Sequence, residues 1–365
     1  MGIAIFHNFL DNIGGAEIVT LILARELNAD IYTTNIDLKK IKKMGFEKII
    51  PRIKSIGKIP INAPFRQQLA LWKFKRLNLK NKYDFFIIAG DWAMSGAVNN
   101  KPNIWYVHSP IREIWDLHKY VRNNLIRPWK RPLFDFWVLF NRFLNKKYVK
   151  QVNNIICNSN NTKKRVKKYL KKDSIVIYPP IEISKYKSNK TRNYWLSVNR
   201  LISHKRILLQ IKAFQKLSNE KLIIVGSYEK SKHFQKYAKL IKKIKPKNVE
   251  IKSWVSNKEL IDLYSNCKGF ITTSKEEDFG MTPIEAMASG KPVIAPNEGG
   301  YKETITNKTG VLINDINPEK LIQTIKTINK ELNKNPNKYK KECQKQAKKF
   351  NTSIFIKKIK QEIKN

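Results

Sequence analysis

Two stretches of this 365-residue chain hold side chains whose types and spacing suit chemistry on a charged, hydroxylated ligand. One is "SKEEDFGMTPIEAMASGKPVIAPNEGG", residues 274–300, where Glu276, Glu277 and Asp278 stand in a row and Glu285 follows. The other is "SVNRLISHKR", residues 197–206, which places Arg200 and Lys205 after an apolar run. A guanidinium and an ammonium can neutralise a diphosphate and stabilise the charge that grows on it as it leaves. In a chain with 72 Lys and Arg, two more cations prove nothing alone. Carboxylates beside a phosphate site are unfavourable unless they accept hydrogen bonds from hydroxyls on the groups either side of the phosphates. A sugar and a ribose both offer such hydroxyls. The acidic cluster with Glu277 then reads hydroxyls, while Arg200, Lys205 and the backbone amides around Phe279, Gly280, Met281 and Thr282 read a diphosphate. That combination describes a nucleotide-sugar site. Thr282-Pro283-Ile284-Glu285 also reads as a helix start, with Thr as N-cap, Pro first and Glu as a capping-box partner. Such a box accounts for Glu285 but not for Glu277.

Near the N-terminus "DNIGGAE", residues 11–17, sets Gly14 and Gly15 at the opening of a helix. Two glycines allow a sharp turn and expose amides at a positive helix end, where an anion is favoured. The spacing is not GxGxxG, and the pair alone also fits an ordinary strand-to-helix turn.

These residues need elements to hold them. "IAIF" (3–6), "DIYTT" (30–34), "FFIIAG" (85–90), "IWYVH" (104–108), "NIICNS" (154–159) and "IVIYPP" (175–180) are unbroken β-branched and aromatic runs alternating with longer helical patterns. Such runs are expected of strands buried on both faces of a parallel sheet. After the polar "KSNKTRN" (187–193) the alternation resumes with "YWLSVNR", "KLIIVGS", "NVEIKSWV", "GFITTS", "KPVIAP" and "GVLI". The pattern predicts an α/β chain of two Rossmann-like, doubly wound domains facing a central cleft, 1–186 and 194–350, joined by a linker at 187–193. Residues 351–365 read as a final helix that crosses back to the first domain. Ligands of open parallel sheets sit at the carboxyl ends of strands. Those ends carry Gly14, Gly15, Asp91 and His108 in the first domain, and Arg200, Lys205, Gly226, Val255 and residues 274–285 in the second.

Bulk composition narrows the classes. The formal net charge is +43, which suits a polyanionic partner or reflects a lysine-rich composition spread along the chain. Cys157, Cys267 and Cys343 form neither a disulfide framework nor a zinc spacing, so a cytoplasmic, reducing setting is expected. The N-terminus has no basic n-region and does not read as a signal peptide, and its Met-Gly is better read as leading into a buried strand than as an acylation site. No run approaches the length of a membrane span. A nucleic-acid-binding protein is the reading that charge alone suggests. It predicts a basic stripe with stacked aromatics, not carboxylates at strand ends, and no recognition module is visible.

"EDFGMTPIEAMASGKPVIA" resembles the Glu-x7-Glu signature of family 4 retaining glycosyltransferases, with Glu277 pairing with Glu285. "GGAE", "VHSP", "IICNSNNTKKRVKKYL", "IVIYPPIE", "SVNRLISHKR", "VGS" and "WVSNKELIDLYSNCKGFITTS" resemble the family's other segments in the same order, over about residues 1–330. The resemblance implies a GT-B fold. It implies that Glu277 binds hydroxyls of the donor sugar, Glu285 the ribose, and Arg200 and Lys205 the diphosphate. Gly15 would approach the same phosphates from the other domain, His108 would lie near the reacting sugar, and Val255 by the base. It implies retention of anomeric configuration with no essential metal and no cofactor beyond the nucleotide-sugar substrate. His108, Pro110 and Arg112 fit the family's first-domain wording. Glu17 and Asp91 remain open as acidic groups acting on the acceptor. The complete set argues against a degenerate, non-catalytic partner subunit.

"YVHSPIREIWDLHKYV" with "NNIICNS" and "VIYPPIE" is similar to the mannosyltransferase branch that builds O-antigen and related lipid-linked polysaccharides. GDP-mannose is the donor this implies, and a saccharide or polyprenyl-diphosphate-linked saccharide the acceptor. A UDP-sugar-dependent hexosyl- or N-acetylhexosaminyltransferase of the same family is the alternative. Residues 126–150 mix Trp129, Phe134, Phe136, Trp137, Phe140 and Phe143 with Arg and Lys. This suits either an anionic membrane surface on the inner face of the cell membrane or a core helix with lysine ends.

Overall fold

The structure is a computed structural model that describes residues 1–12, 14–60, 65–189, 191–226, 232–253 and 255–364, with the backbone alone at 232–234. The chain divides into two compact units, Met1–Pro180 with Phe355–Asn365, and Ile181–Ile354.

Among the described residues the first unit holds a seven-stranded sheet built from β1 (Ile3–Phe6), β2 (Asp30–Thr33), β3 (Ile53–Ser55), β4 (Phe85–Ile88), β5 (Asn103–Val107), β6 (Asn154–Cys157) and β7 (Ile175–Val176). All pairs are parallel, in the order β3-β2-β1-β4-β5-β6-β7. Every residue of β1, β4 and β5 is buried, as helices on both faces of a parallel sheet require. Phe6 packs against Phe74 and Phe86 with ring centroids 5.8 and 5.6 Å apart. Each such buried ring contributes roughly 2 kcal/mol. The register sets Phe6 opposite Ile88, so the chain leaves β1 and β4 at the same level.

The second unit repeats the plan. Its strands are β8 (Trp195–Val198), β9 (Leu222–Val225), β10 (Val249–Lys252), β11 (Gly269–Ile271), β12 (Val293–Pro296) and β13 (Gly310–Ile313), in the parallel order β10-β9-β8-β11-β12-β13. In each sheet the winding reverses once, between β1 and β4 and between β8 and β11. A doubly wound sheet opens its binding crevice at such a reversal, because the two connections leave to opposite faces.

Four sequence expectations change. Strand β3 was not anticipated: it has three residues, none buried, so no apolar pattern announces it. The run at 175–180 pairs only at Ile175–Val176, because Pro179 and Pro180 have no N–H to give a ladder. In the stretch read as a linker, Asn189 N donates to Ser265 O and Arg192 N to Asn266 O, so it is tied to the second unit, with Lys190 outside the described residues. Trp254 and Ser227, within quoted motifs, also lie outside them. The fourth change is the helix start at 280–285, described below. The helix Thr352–Lys364 closes the chain, and its Phe355 meets Tyr106 edge-on at 5.6 Å.

Candidate active site

The reversal point of the second sheet gathers the residues the sequence singled out. Arg200 is exposed in the loop after β8, and the turn Ser203–Lys205 carries Lys205 back over the sheet. The Lys205 ammonium donates to Glu277 Oε2 at 2.5 Å, across 72 residues of chain. The two side chains are 12% and 22% exposed. Burial alone would raise the Glu277 carboxyl. The Lys205 charge and hydrogen bond, with smaller contributions from Ser274 and His204, outweigh burial and bring it down to about 2. Glu277 is therefore a full anion at neutral pH, an acceptor for hydrogen-bond donors.

The loop that carries Glu277 is held by residues the sequence reading did not assign. Arg206, in the left-handed region at φ 51, sends Nε to Thr273 O at 2.6 Å and its Nη atoms to the Glu298 carboxylate at 3.1 Å. Glu298 Oε2 also accepts from Glu276 N at 3.2 Å. Gly299 and Gly300 form the floor: a Cβ on Gly299 would stand 2.3 Å from Glu277 O, and one on Gly300 2.5 Å from Asp278 O. Gly300 N donates to Glu277 O at 2.8 Å. The signal for this floor was present as "NEGG" after a buried strand, the same glycine pair at a strand end that marked residues 14 and 15.

The helix after the loop runs Met281–Ala288, two residues earlier than Thr282 as N-cap predicts. Gly280 is the N-cap, at φ 89, and a Cβ there would also meet the Tyr301 ring at 2.7 Å. Only glycine serves both conditions, so the left-handed turn, not the threonine hydroxyl, sets the start. Gly280 has no side chain to give this helix a cap hydrogen bond. Glu285 is not a capping-box residue. Its Oε2 accepts from Tyr264 Oη at 2.7 Å. Burial raises this carboxyl, while the Tyr264 and Tyr186 hydroxyls and the Lys185 charge oppose the rise in part. Glu277 and Glu285 thus differ: one is held by an ammonium, the other by phenols. Gly226 is required where the loops after β8 and β9 meet, since a Cβ would stand 1.8 Å from Asn199 O. Val255 is buried beyond β10.

In the first unit the reversal point carries His7, Asn8 and Gly90. A Cβ on Gly90 would stand 2.3 Å from Asn8 Oδ1, which accepts from Ala93 N at 2.8 Å. Asp91 precedes the short helix Trp92–Val98 at this corner without capping it. His108 follows β5, its carbonyl held by Asn158 Nδ2 at 2.7 Å and its ring edge-on to Tyr106 at 5.2 Å. Burial, then the neighbouring His7, lowers His108 to about 3. Burial also lowers His7 to about 4, against hydrogen bonds to Ala89 and Phe9. Both rings are neutral at physiological pH. His108 Nε2 is buried with no hydrogen-bond partner among the described residues. His7, at the strand end the sequence marks but with no role read from it, has its Nδ1 3.1 Å from Thr20 Oγ1; a histidine at an apolar strand end has no spacing signature. Gly15 opens the helix Gly15–Leu27, and Gly14 precedes it in extended backbone. The Glu17 carboxylate folds back on Gly14, 2.6 Å from where a Cβ would stand. Arg112 is committed to Asp116 at 2.7 Å.

Two family models match the chain, Glycosyltransferase Family 4 over residues 13–185 and Glycosyl transferases group 1 over residues 179–350. The chain belongs to glycosyltransferase family 4. It is 29% identical over 257 residues to the alpha-1,3/1,6-mannosyltransferase ALG2 of Candida glabrata, covering 57% of this chain and 53% of that protein. It is 29% identical over 233 residues to the O-antigen chain mannosyltransferase RfbU of Salmonella typhimurium, covering 57% of this chain and 65% of that one. The chain thus spans between half and two-thirds of these relatives. Among solved structures, Anabaena Alr3699/HepE in complex with UDP and glucose matches with a TM-score of 0.79 at 17% identity, over 100% of both chains. The family 4 fold is of the GT-B type, two Rossmann-like α/β domains. No helix among its described residues is long and apolar enough to cross a membrane.

Proposed function

We propose that this glycosyltransferase moves mannose from GDP-mannose to a saccharide or polyprenyl-diphosphate-linked saccharide, with retention at the anomeric carbon and no metal, at the inner face of the cell membrane. The Lys205–Glu277 pair beside an uncapped helix start carries the reading. A cation and the amides of a helix start suit a diphosphate, and a carboxylate kept charged to about pH 2 suits sugar hydroxyls. As the bond from C1 to the diphosphate oxygen breaks, negative charge grows on the leaving nucleoside diphosphate. Lys205, Arg200 and the amides of Met281 and Thr282 stabilise that charge, while the acceptor oxygen bonds C1 and gives its proton to the leaving phosphate oxygen. Glu277 orients the sugar, Glu285 takes the ribose hydroxyls, and Val255 borders the base. Gly14 and Gly15 receive phosphate oxygens once Glu17 turns aside. His108 Nε2 takes a sugar hydroxyl, and Asp91 is the candidate carboxylate beside the acceptor hydroxyl. Mannose is favoured because the relatives aligned over much of the chain are an alpha-1,3/1,6-mannosyltransferase and an O-antigen chain mannosyltransferase. A UDP-sugar reading is the second, favoured by the UDP and glucose in the Anabaena structure.

The test is a thermal-shift series with GDP, UDP, GDP-mannose, UDP-glucose and UDP-N-acetylglucosamine, with and without EDTA. A ligand at a hundred times its Kd adds about 2.7 kcal/mol to stability. Shifts with the GDP pair alone, unchanged by EDTA, are expected. Shifts with the UDP series alone would transfer the assignment to the second reading, and loss of the shift in EDTA would overturn the metal-free mechanism.

A further inference from the structure

The helix Arg131–Val149 divides its aromatic residues between two faces. Val138, Asn141, Asn145, Tyr148 and Val149 are buried. Phe134 and Trp137 stack on one another at 5.8 Å and pack into a cluster with Trp92, Ile111 and Ile114. The opposite face is bare: Leu133, Phe136, Leu139, Phe140 and Phe143 are 71%, 72%, 63%, 48% and 62% exposed. Trp129, just before the helix, is 66% exposed, and the Lys130 ammonium lies 4.7 Å over its ring. Positions 133, 136, 140 and 143 follow one helical stripe, and 139 widens it. Cations bracket the stripe, with Arg127 and Lys130 exposed before it and Lys146, Lys147 and Lys150 exposed after it. Asp135, the one acidic residue in the helix sequence, is taken up by Arg122 at 2.8 Å and His118 at 3.2 Å.

We propose that this face, Trp129, Leu133, Phe136, Leu139, Phe140 and Phe143 with lysines at its end, is where the protein docks on an anionic lipid bilayer, the helix lying in the plane of the interface. Large apolar side chains left in water on one helix face, with aromatic and cationic residues at the margins, match the two halves of an interfacial lipid layer. The sign of the charge selects anionic headgroups. Burying the rings in the acyl region removes them from water, while Lys146, Lys147 and Lys150 stay at headgroup level. The inference rests on the peripheral placement proposed above and names the surface responsible. It does not depend on the donor.

The test uses the full chain and vesicles of phosphatidylcholine, with and without phosphatidylglycerol, at low salt. Cys157, Cys267 and Cys343 are buried, so Phe136→Cys takes an environment-sensitive fluorophore selectively, with Lys308→Cys in the other unit as control. The expected result is a blue shift at position 136 and none at 308, with the anionic vesicles only. In co-sedimentation, Phe136→Ser with Phe140→Ser and Phe143→Ser should lower partitioning about tenfold or more. Each of Lys146→Gln, Lys147→Gln and Lys150→Gln should lower it about fivefold. These side chains are exposed, so melting temperatures should stay at the wild-type value. Equal binding by the wild-type and serine variants overturns this surface and leaves the peripheral placement standing. No binding by the wild type overturns both. A blue shift at 136 that rises with protein concentration without vesicles, with dimers in sedimentation, overturns the lipid in favour of a second copy of the chain.

Discussion

Removing the charge on Glu277 while keeping its shape tests the electrostatics of the site directly. Its carboxyl falls from 4.5 to about 2, a shift in which the Lys205 charge and hydrogen bond outweigh burial. Since a pKa unit is worth about 1.4 kcal/mol, that shift corresponds to at most about 3 kcal/mol of stability. The side chains are 22% and 12% exposed, and solvent screening lowers the expected pair coupling to about 2 kcal/mol. The assay is a double-mutant cycle of Glu277→Gln and Lys205→Met in urea unfolding at pH 7. Because the folded carboxyl is depressed, its contribution is complete above pH 4.5 and is lost as pH falls toward 2. The coupling must therefore shrink when the cycle is repeated below pH 4.5. A coupling under about 0.5 kcal/mol at pH 7, or one that does not change with pH, would refute the assignment of Lys205 as the counterion.

Three further outcomes are expected. His7 and His108, lowered from 6.5 to about 4 and about 3, should make stability fall as pH drops below 6.5, by up to about 1.4 kcal/mol per pH unit for each ring; His7→Gln should flatten a urea-midpoint profile from pH 7 to 5, and an unchanged slope would count against its buried neutral state. Gly280→Ala meets both the left-handed φ of 89 and the Tyr301 ring, so it should lower stability by about 1–3 kcal/mol while Thr282→Ala, at no cap, should cost little, as thermal melts of the two would show. Glu298→Gln loosens Arg206 and Glu276 N together, costing about 1 kcal/mol and weakening nucleotide binding in calorimetry; unchanged affinity in the folded variant would remove Glu298 from the positioning of Glu277.

The amino-acid order by itself determined the two alternating βα halves, because a strand buried on both faces must be apolar throughout and an interposed helix must be periodic. It also marked Lys205, Glu277 and the glycine pair, since charge in a loop between buried strands is conspicuous. It did not reveal β3, whose three residues bury nothing, nor the Gly280 cap, where a good Thr-Pro-x-Glu signature lost to a backbone angle and to Tyr301 arriving from beyond β12. The pairing of Glu277 with Lys205, the support of Glu298 and Arg206, the contrast between Glu277 and the phenol-bound Glu285, and the split of helix Arg131–Val149 into a packed and a bare face were decided only by tertiary structure. Each depends on which residues distant in sequence meet at the reversal of a sheet or across a helix. Local propensity contains no record of those distances, and a carboxylate's charge or an aromatic ring's exposure is set by the neighbours the fold supplies.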